Sequence, residues 1–116
     1  MQSPFNPNKM EEQIDMNELG ENIVKVLKTI FDPEIPVDIY ELGLIYDVSV
    51  NKNPYVNILM TPTSPNFPVA EALTLEVKEK VSSINLVNDV ELELTFDPPW
   101  DKDMMSEEAK LELGML

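Results

Sequence analysis

Four carboxylates, Asp32, Glu34, Asp38 and Glu41, fall within the segment DPEIPVDIYELG, residues 32–43. Clustered carboxylate oxygens are what a hard cation such as Ca²⁺ or Mg²⁺ requires. The order of residues departs from an EF-hand loop, which alternates Asp or Asn around a central Gly and ends in Glu. Solvated acids on a stiff proline-rich loop are therefore the competing reading. Asp97 is the natural partner of Asp32 for paired-carboxylate hydrolysis, because each follows an aromatic residue expected in the core and precedes a proline. A second cluster, Thr61, Thr63, Ser64 and Asn66, lies in TPTSPNFP, residues 61–68. Where a strand ends and a helix begins, unpaired backbone N–H groups favour a thiolate, carboxylate or phosphate oxygen. The same hydroxyls and amide are also the side chains that cap a helix and shape a turn. Trp100, the single tryptophan, either pins the C-terminal tail to the core or anchors an interface. Met104 and Met105 either join it or fill gaps.

Composition removes other chemistries. The 116 residues contain no Cys and no His, so the chain cannot itself supply the thiolate or imidazole ligands of structural zinc, haem iron or an iron–sulfur cluster. Cysteine nucleophiles and histidine bases are excluded by the same count. With 22 Asp and Glu against 8 Lys, no Arg and a formal charge of -14, the chain repels phosphate polyanions, so nucleic acid is not expected as a partner. The absence of an apolar leader in residues 1–13, and of any apolar run of spanning length, sets the expectation of a cytoplasmic protein with no membrane partner.

The elements that must position these residues follow from periodicity. Residues 1–14 have no pattern and are expected to be a flexible tail, leaving 15–116 as a single domain. Asp15 and Glu18 have capping-box spacing, and Leu19, Ile23, Val26, Leu27 and Ile30 recur on one helical face, predicting a helix that ends before Pro33. Within the following loop, Ile35, Val37, Ile39 and Leu42 demand burial. Strands are expected at 44–50, with Leu44, Tyr46, Val48 and Val50 on one side, and at 55–60, joined by a turn at Asn51-Lys52-Asn53-Pro54. A second helix from about Pro68 turns Ala70, Leu73, Val77, Val81 and Ile84 inward. A third strand at 90–96 alternates Val90, Leu92, Leu94 and Phe96 against Glu91, Glu93 and Thr95. That alternation means one covered sheet face, so the helices lie on one side. A crossover from the second strand to the third predicts a parallel pair. The fold class expected is α+β: a two-layer α-β-β-α-β core, a three-stranded mixed sheet, and a short final helix opened by Ser106, Glu107 and Glu108. The edge strands make a homodimer conceivable.

The runs DPEIPVDIYELGLIYDV at 32–48, MTPTSPNFPVAEAL at 60–73 and FDPPWDKDMMSEEAKLELGML at 96–116 resemble the SufT and PaaD type of metal–sulfur cluster assembly proteins, especially the stand-alone bacterial SufT-like members. The resemblance extends from about Asn17 to the end. It implies a small cytoplasmic factor that is not an enzyme, works beside the iron–sulfur assembly machinery and touches client apoproteins. A factor of a phenylacetyl-CoA oxygenase system is the alternative within the family. The family's loop usually reads TSP, a variable residue, then Cys and Pro. Phe67 stands at that Cys position here, where it either plugs the pocket or presents an apolar contact to a client.

The leading expectation is thus an adaptor using Asp32, Glu34, Thr61, Thr63, Ser64, Asn66, Phe67, Asp97 and Trp100 as its recognition surface. It would have no cofactor of its own, an iron–sulfur cluster being possible only with ligands lent by a partner. A Mg²⁺- or Ca²⁺-dependent hydrolase built on Asp32, Glu34 and Asp97 is the enzymatic alternative, and a diverged oligomeric or regulatory partner is the third.

Overall fold

The computed structural model describes residues 15–64 and 66–115, except for the side chain of Phe67; the tail expected at 1–14 lies outside the described residues. Helix α1, Met16–Leu27, begins where Asp15 accepts the backbone N–H groups of Asn17 and Glu18 at 2.9 and 3.1 Å. That carboxylate satisfies donors with no partner within the helix and places negative charge at the positive end of the dipole. Leu19, Ile23 and Leu27 come one turn apart on the buried face, and Ile30 continues it past the helix end.

Strands β1, Ile45–Val50, and β2, Tyr55–Met60, form an antiparallel hairpin. Its turn is built by Asn51, whose Oδ1 accepts from the N–H groups of Asn53 and Tyr55. Helix α2, Phe67–Ser82, then crosses to β3, Asp89–Leu94, which pairs in parallel with β2. The sheet order is β1-β2-β3. Val56, Ile58, Met60 and Val90 share a core with Leu19, Ile23, Leu27, Leu73, Val77 and Val81. Ser49, Asn57, Glu91 and Glu93 face solvent on the opposite side. Beyond the sheet the chain makes a 3₁₀ turn, Lys102–Met104, and helix α3, Glu107–Glu112, capped by Ser106.

This is the expected α+β arrangement, with two local departures. Strict alternation fails in β1: Ile45 pairs with Met60, Asp47 with Leu59, and Tyr46 is the extra residue of a bulge between them. The bulge keeps Ile45 and Val48 on the same face and leaves Asp47 exposed, where unbroken alternation would have turned one of them the wrong way. The third strand also stops early. Thr95 donates its N–H to Met60 at 2.8 Å, and its hydroxyl then accepts from the N–H of Asp97, turning the chain out of the sheet. Phe96 therefore does not continue the core face and is 47% exposed.

Candidate functional site

Because β1 runs opposite to β2, the entry to β1 and the exits from β2 and β3 lie at one end of the sheet. The three segments singled out in the sequence leave from that end, and hydrogen bonds tie them together. Thr61 donates its N–H to the Leu44 carbonyl at 2.9 Å. The Thr63 hydroxyl donates to Asp32 Oδ1 at 3.3 Å. Trp100 Nε1 donates to the Leu42 carbonyl at 2.8 Å, Tyr46 donates its hydroxyl to the Pro98 carbonyl at 2.7 Å, and the N–H of Ser106 reaches the Glu41 carbonyl at 2.8 Å.

Asp32 is only 7% exposed. Its Oδ2 accepts the N–H groups of Glu34 and Ile35 at 2.9 and 2.8 Å, and Oδ1 takes the Thr63 hydroxyl. Asp38 repeats the device, accepting from the N–H groups of Tyr40 and Glu41. Both carboxylates thus organise turns, which corrects the picture of a loop of solvated acids for Asp32; Glu34 does face solvent. Among the described residues no group of three or more Asp and Glu is placed to hold a metal ion. Asp32, Glu34 and Asp97 therefore do not assemble the cation site on which the hydrolase alternative depended. The supposed symmetry of Asp32 and Asp97 also fails, since the preceding aromatics, Phe31 and Phe96, are 57% and 47% exposed rather than core residues.

The start of α2 offers fewer open donors than its position suggests. Asn66 is the N-cap, and its side chain accepts from the Val69 N–H while its carbonyl accepts from Ala70. Pro68 has no N–H to offer. The capping role of Asn66 thus consumes most of what an anion would use. Phe67 is the first residue of the helix, and the choice between plug and client contact rests on its side chain, outside the described residues. Ser64 is half-buried, and Thr61 is fully buried with a hydroxyl that has no hydrogen-bond partner among the described residues. An orphaned hydroxyl beside a cluster of satisfied ones is uncommon in a protein interior.

Trp100 pins the tail, half-buried against the core with its N–H bonded to Leu42. Met105 fills the core at 6% exposure, while Met104 receives the Tyr46 hydroxyl at its sulfur. Asp97 is exposed beside this junction.

Several structural roles were missed in the sequence, that of Glu41 among them. Glu41 pairs with Lys28 at 3.3 Å, and its carboxyl is held below the usual carboxylate range, first by a hydrogen bond from Ser106 and then by Lys28, against the opposing effect of burial. Lys28 is correspondingly raised by its hydrogen bond and charge interaction with Glu41, and lies 5.5 Å over the Tyr40 ring. Gly43, at φ +82, lets the Met104 carbonyl approach so closely that an added Cβ would lie 2.3 Å from its oxygen. With only three glycines in the chain, one directly after a proline-rich loop was the available signal.

The family model described as iron–sulfur cluster assembly protein matches residues 20–94, which take in α1 from Gly20 onward, all of α2 and all three strands. The chain belongs to this family. It is 53% identical over 96 residues to an Fe-S protein maturation auxiliary factor of Porphyromonas gingivalis, covering 83% of this chain and 91% of that protein. It is 38% identical over 86 residues to the Fe-S protein maturation auxiliary factor SufT of Staphylococcus aureus, covering 74% and 98%. A crystal structure of a domain of unknown function from Bacillus anthracis superposes with a TM-score of 0.78 at 37% identity, over 86% of this chain and 95% of that one. The resemblance seen in the three motifs, and the α+β fold derived from periodicity, agree with these matches.

Proposed function

We propose that this protein is a non-catalytic auxiliary factor in the maturation of iron–sulfur proteins, one that holds partner proteins rather than the cluster. Its family and its relatives named as maturation factors support the role. The observation that carries the non-scaffold form is the chemistry of the converging loops: hydroxyls, carboxylates, an amide and an indole, in a chain without any Cys or His. Iron in a cluster takes sulfur or imidazole ligands. A cluster in transit is thus cargo whose protein ligands come from the assembly machinery or the client. On this reading the end of the sheet bearing Glu34, Ser64, Asp97 and the Trp100 tail is the contact surface, with Asp32, Thr61, Thr63 and Asn66 setting its shape.

Deletion of the gene is expected to lower the activities of iron–sulfur enzymes under iron limitation or oxidative stress, with unchanged levels of their apoproteins. The wild-type gene restores them, and Glu34→Lys restores them less well while leaving the fold intact. Unchanged enzyme activities in the deletion strain would count against the role. Stoichiometric iron and sulfide on the purified, untagged chain would count against the non-scaffold form.

A further inference from the structure

We infer that the groove between Phe31 and the first turns of α2 is a docking site for a basic, amphipathic segment of a partner protein. The groove, about 340 Å³, is lined by Phe31, Pro33, Pro68, Val69, Ala72 and Glu76 with Leu73 at its floor. Phe31 is 57% exposed because its neighbours leave it no alternative: Ile30 and Asp32 are both buried, so the extended chain turns the ring outward between them. Backbone bonds from Asp32 to Val37 and from Ile39 to Ile30 hold that orientation on both sides. An aromatic side chain kept in water by a rigid backbone is the kind of group that anchors interfaces. Leu75, 63% exposed, lies seven residues from Pro68 and three from Ala72, extending the apolar stripe along α2.

Charge selects the occupant. Glu76 lines the groove, Glu34 follows its wall at Pro33, and Glu71 and Glu79 flank Leu75 on the helix. Glu76 and Lys80 pair at 3.2 Å and offset each other, so the excess acidity of the rim rests on Glu34, Glu71 and Glu79, while Lys78 lines a separate cleft with Tyr55, Asp89 and Glu91. A second copy would bring another 14 excess negative charges, and this chain's residues 1–14 carry Glu11 and Glu12 against a single Lys. The rim therefore favours a partner segment that alternates large apolar residues with Lys or Arg, seated as a helix or strand along α2. This inference names the partner chemistry for the adaptor reading and rests on it.

The test titrates the isotopically labelled full chain with three short synthetic peptides: Leu and Phe with Lys, Leu and Phe with Glu, and Ser with Lys. The first is expected to bind and to shift the amide resonances of Phe31, Val69, Ala72 and Glu76. Ala72→Lys, which fills the groove and repels the peptide's lysines, and Phe31→Ser are each expected to weaken it about tenfold or more. Equal binding by all three peptides, shifts located elsewhere, or an unaltered affinity in Ala72→Lys would overturn the assignment. Groove resonances that move on deleting residues 1–14, or that depend on protein concentration before peptide is added, would assign the groove to the chain itself and overturn it as well. Peptide binding and rescue of the deletion strain are separate readouts: failure of the first with intact rescue removes the groove alone, and failure of rescue removes the adaptor role.

Discussion

The indole Nε1 of Trp100 donates to the main-chain carbonyl of Leu42 at 2.8 Å, across 58 positions of sequence. This bond joins the tail to the loop that leads into β1, and it does so beside the Tyr46–Pro98 bond, so that the bulge in β1 and the tail position each other. Trp100→Phe keeps most of the ring and loses the donor, and is expected to cost about 1 kcal/mol. Trp100→Ala also loses half-buried apolar area and should cost roughly 2 kcal/mol. Urea denaturation gives both values, and amide exchange should show the loss concentrated in residues 98–115. Equal destabilisation by the two substitutions would mean that the indole N–H contributes nothing.

Asp32 is a structural carboxylate with two backbone donors and one hydroxyl, so its removal leaves three part-buried donors without their acceptor. Asp32→Ala is expected to cost about 2–3 kcal/mol, and Asp32→Asn less, because the amide oxygen still accepts. Glu34 faces solvent, and Glu34→Lys should stay within about 0.5 kcal/mol of wild type. Charge reversal at Glu34 is thus the clean probe of client capture, whereas reversal at Asp32 would mainly report unfolding. Comparable stabilities for Asp32→Ala and Glu34→Lys would refute this division.

Gly43 and Gly114 both have positive φ, at +82 and +73, but only Gly43 has backbone against the place where a Cβ would go. Gly114→Ala should cost only the conformational penalty, about 1 kcal/mol. Gly43→Ala must also displace the Met104 carbonyl and is expected to cost at least roughly 3 kcal/mol or to detach the tail. Thermal denaturation followed by Trp100 fluorescence distinguishes these: early loss of the tryptophan signal in Gly43→Ala, and a single transition a few degrees below wild type in Gly114→Ala.

Glu41 gives the fold a specific acid sensitivity. Its carboxyl is held below the ordinary Glu range in the folded state, first by the Ser106 hydrogen bond and then by Lys28. The unfolded chain therefore takes up this proton more readily. The stabilisation is present above the ordinary Glu value and is lost as pH falls through the lower folded value. Lys28 is 46% exposed, so solvent screens its share and the Ser106 bond to the 16% exposed Glu41 carries more of the effect. Glu41→Gln should be less stable than wild type at neutral pH, and the two curves should converge at acid pH. A constant gap down to the acid limb would exclude Glu41 titration as its source.

Most of the architecture was readable because its determinants are local or periodic. Asp15, Asn51, Asn66 and Ser106 each bond backbone groups a few positions away, so their caps and turns follow from nearby residues. The alternation of Val56, Ile58 and Met60 reports the covered face directly. What escaped depends on distant partners. The burial of Asp32 needs Thr63, 31 positions away, and the spare residue at Tyr46 is explained only by its bonds to Pro98 and Met104. Phe31 reads as a core residue because of its type, yet the alternating backbone gives the inward places to Ile30 and Asp32. At the site, residue types identified the right loops but did not separate the turn-forming acid Asp32 from the exposed Glu34.

Thr61 combines full burial with a hydroxyl that no described residue partners. A methyl in its place would avoid the desolvation cost of that hydroxyl while keeping the β-branched shape that fits the end of β2. Thr61→Val is therefore expected to stabilise the fold by about 1 kcal/mol, measured by urea denaturation. Retaining a costly group at the junction of the three loops is what a functional constraint would produce. The same substitution should thus lower rescue of iron–sulfur enzyme activity in a deletion strain despite the gain in stability. If Thr61→Val instead destabilises by more than about 1 kcal/mol, the hydroxyl is hydrogen-bonded in solution and its role is structural. If it stabilises and rescues fully, the orphaned hydroxyl has no part in partner recognition.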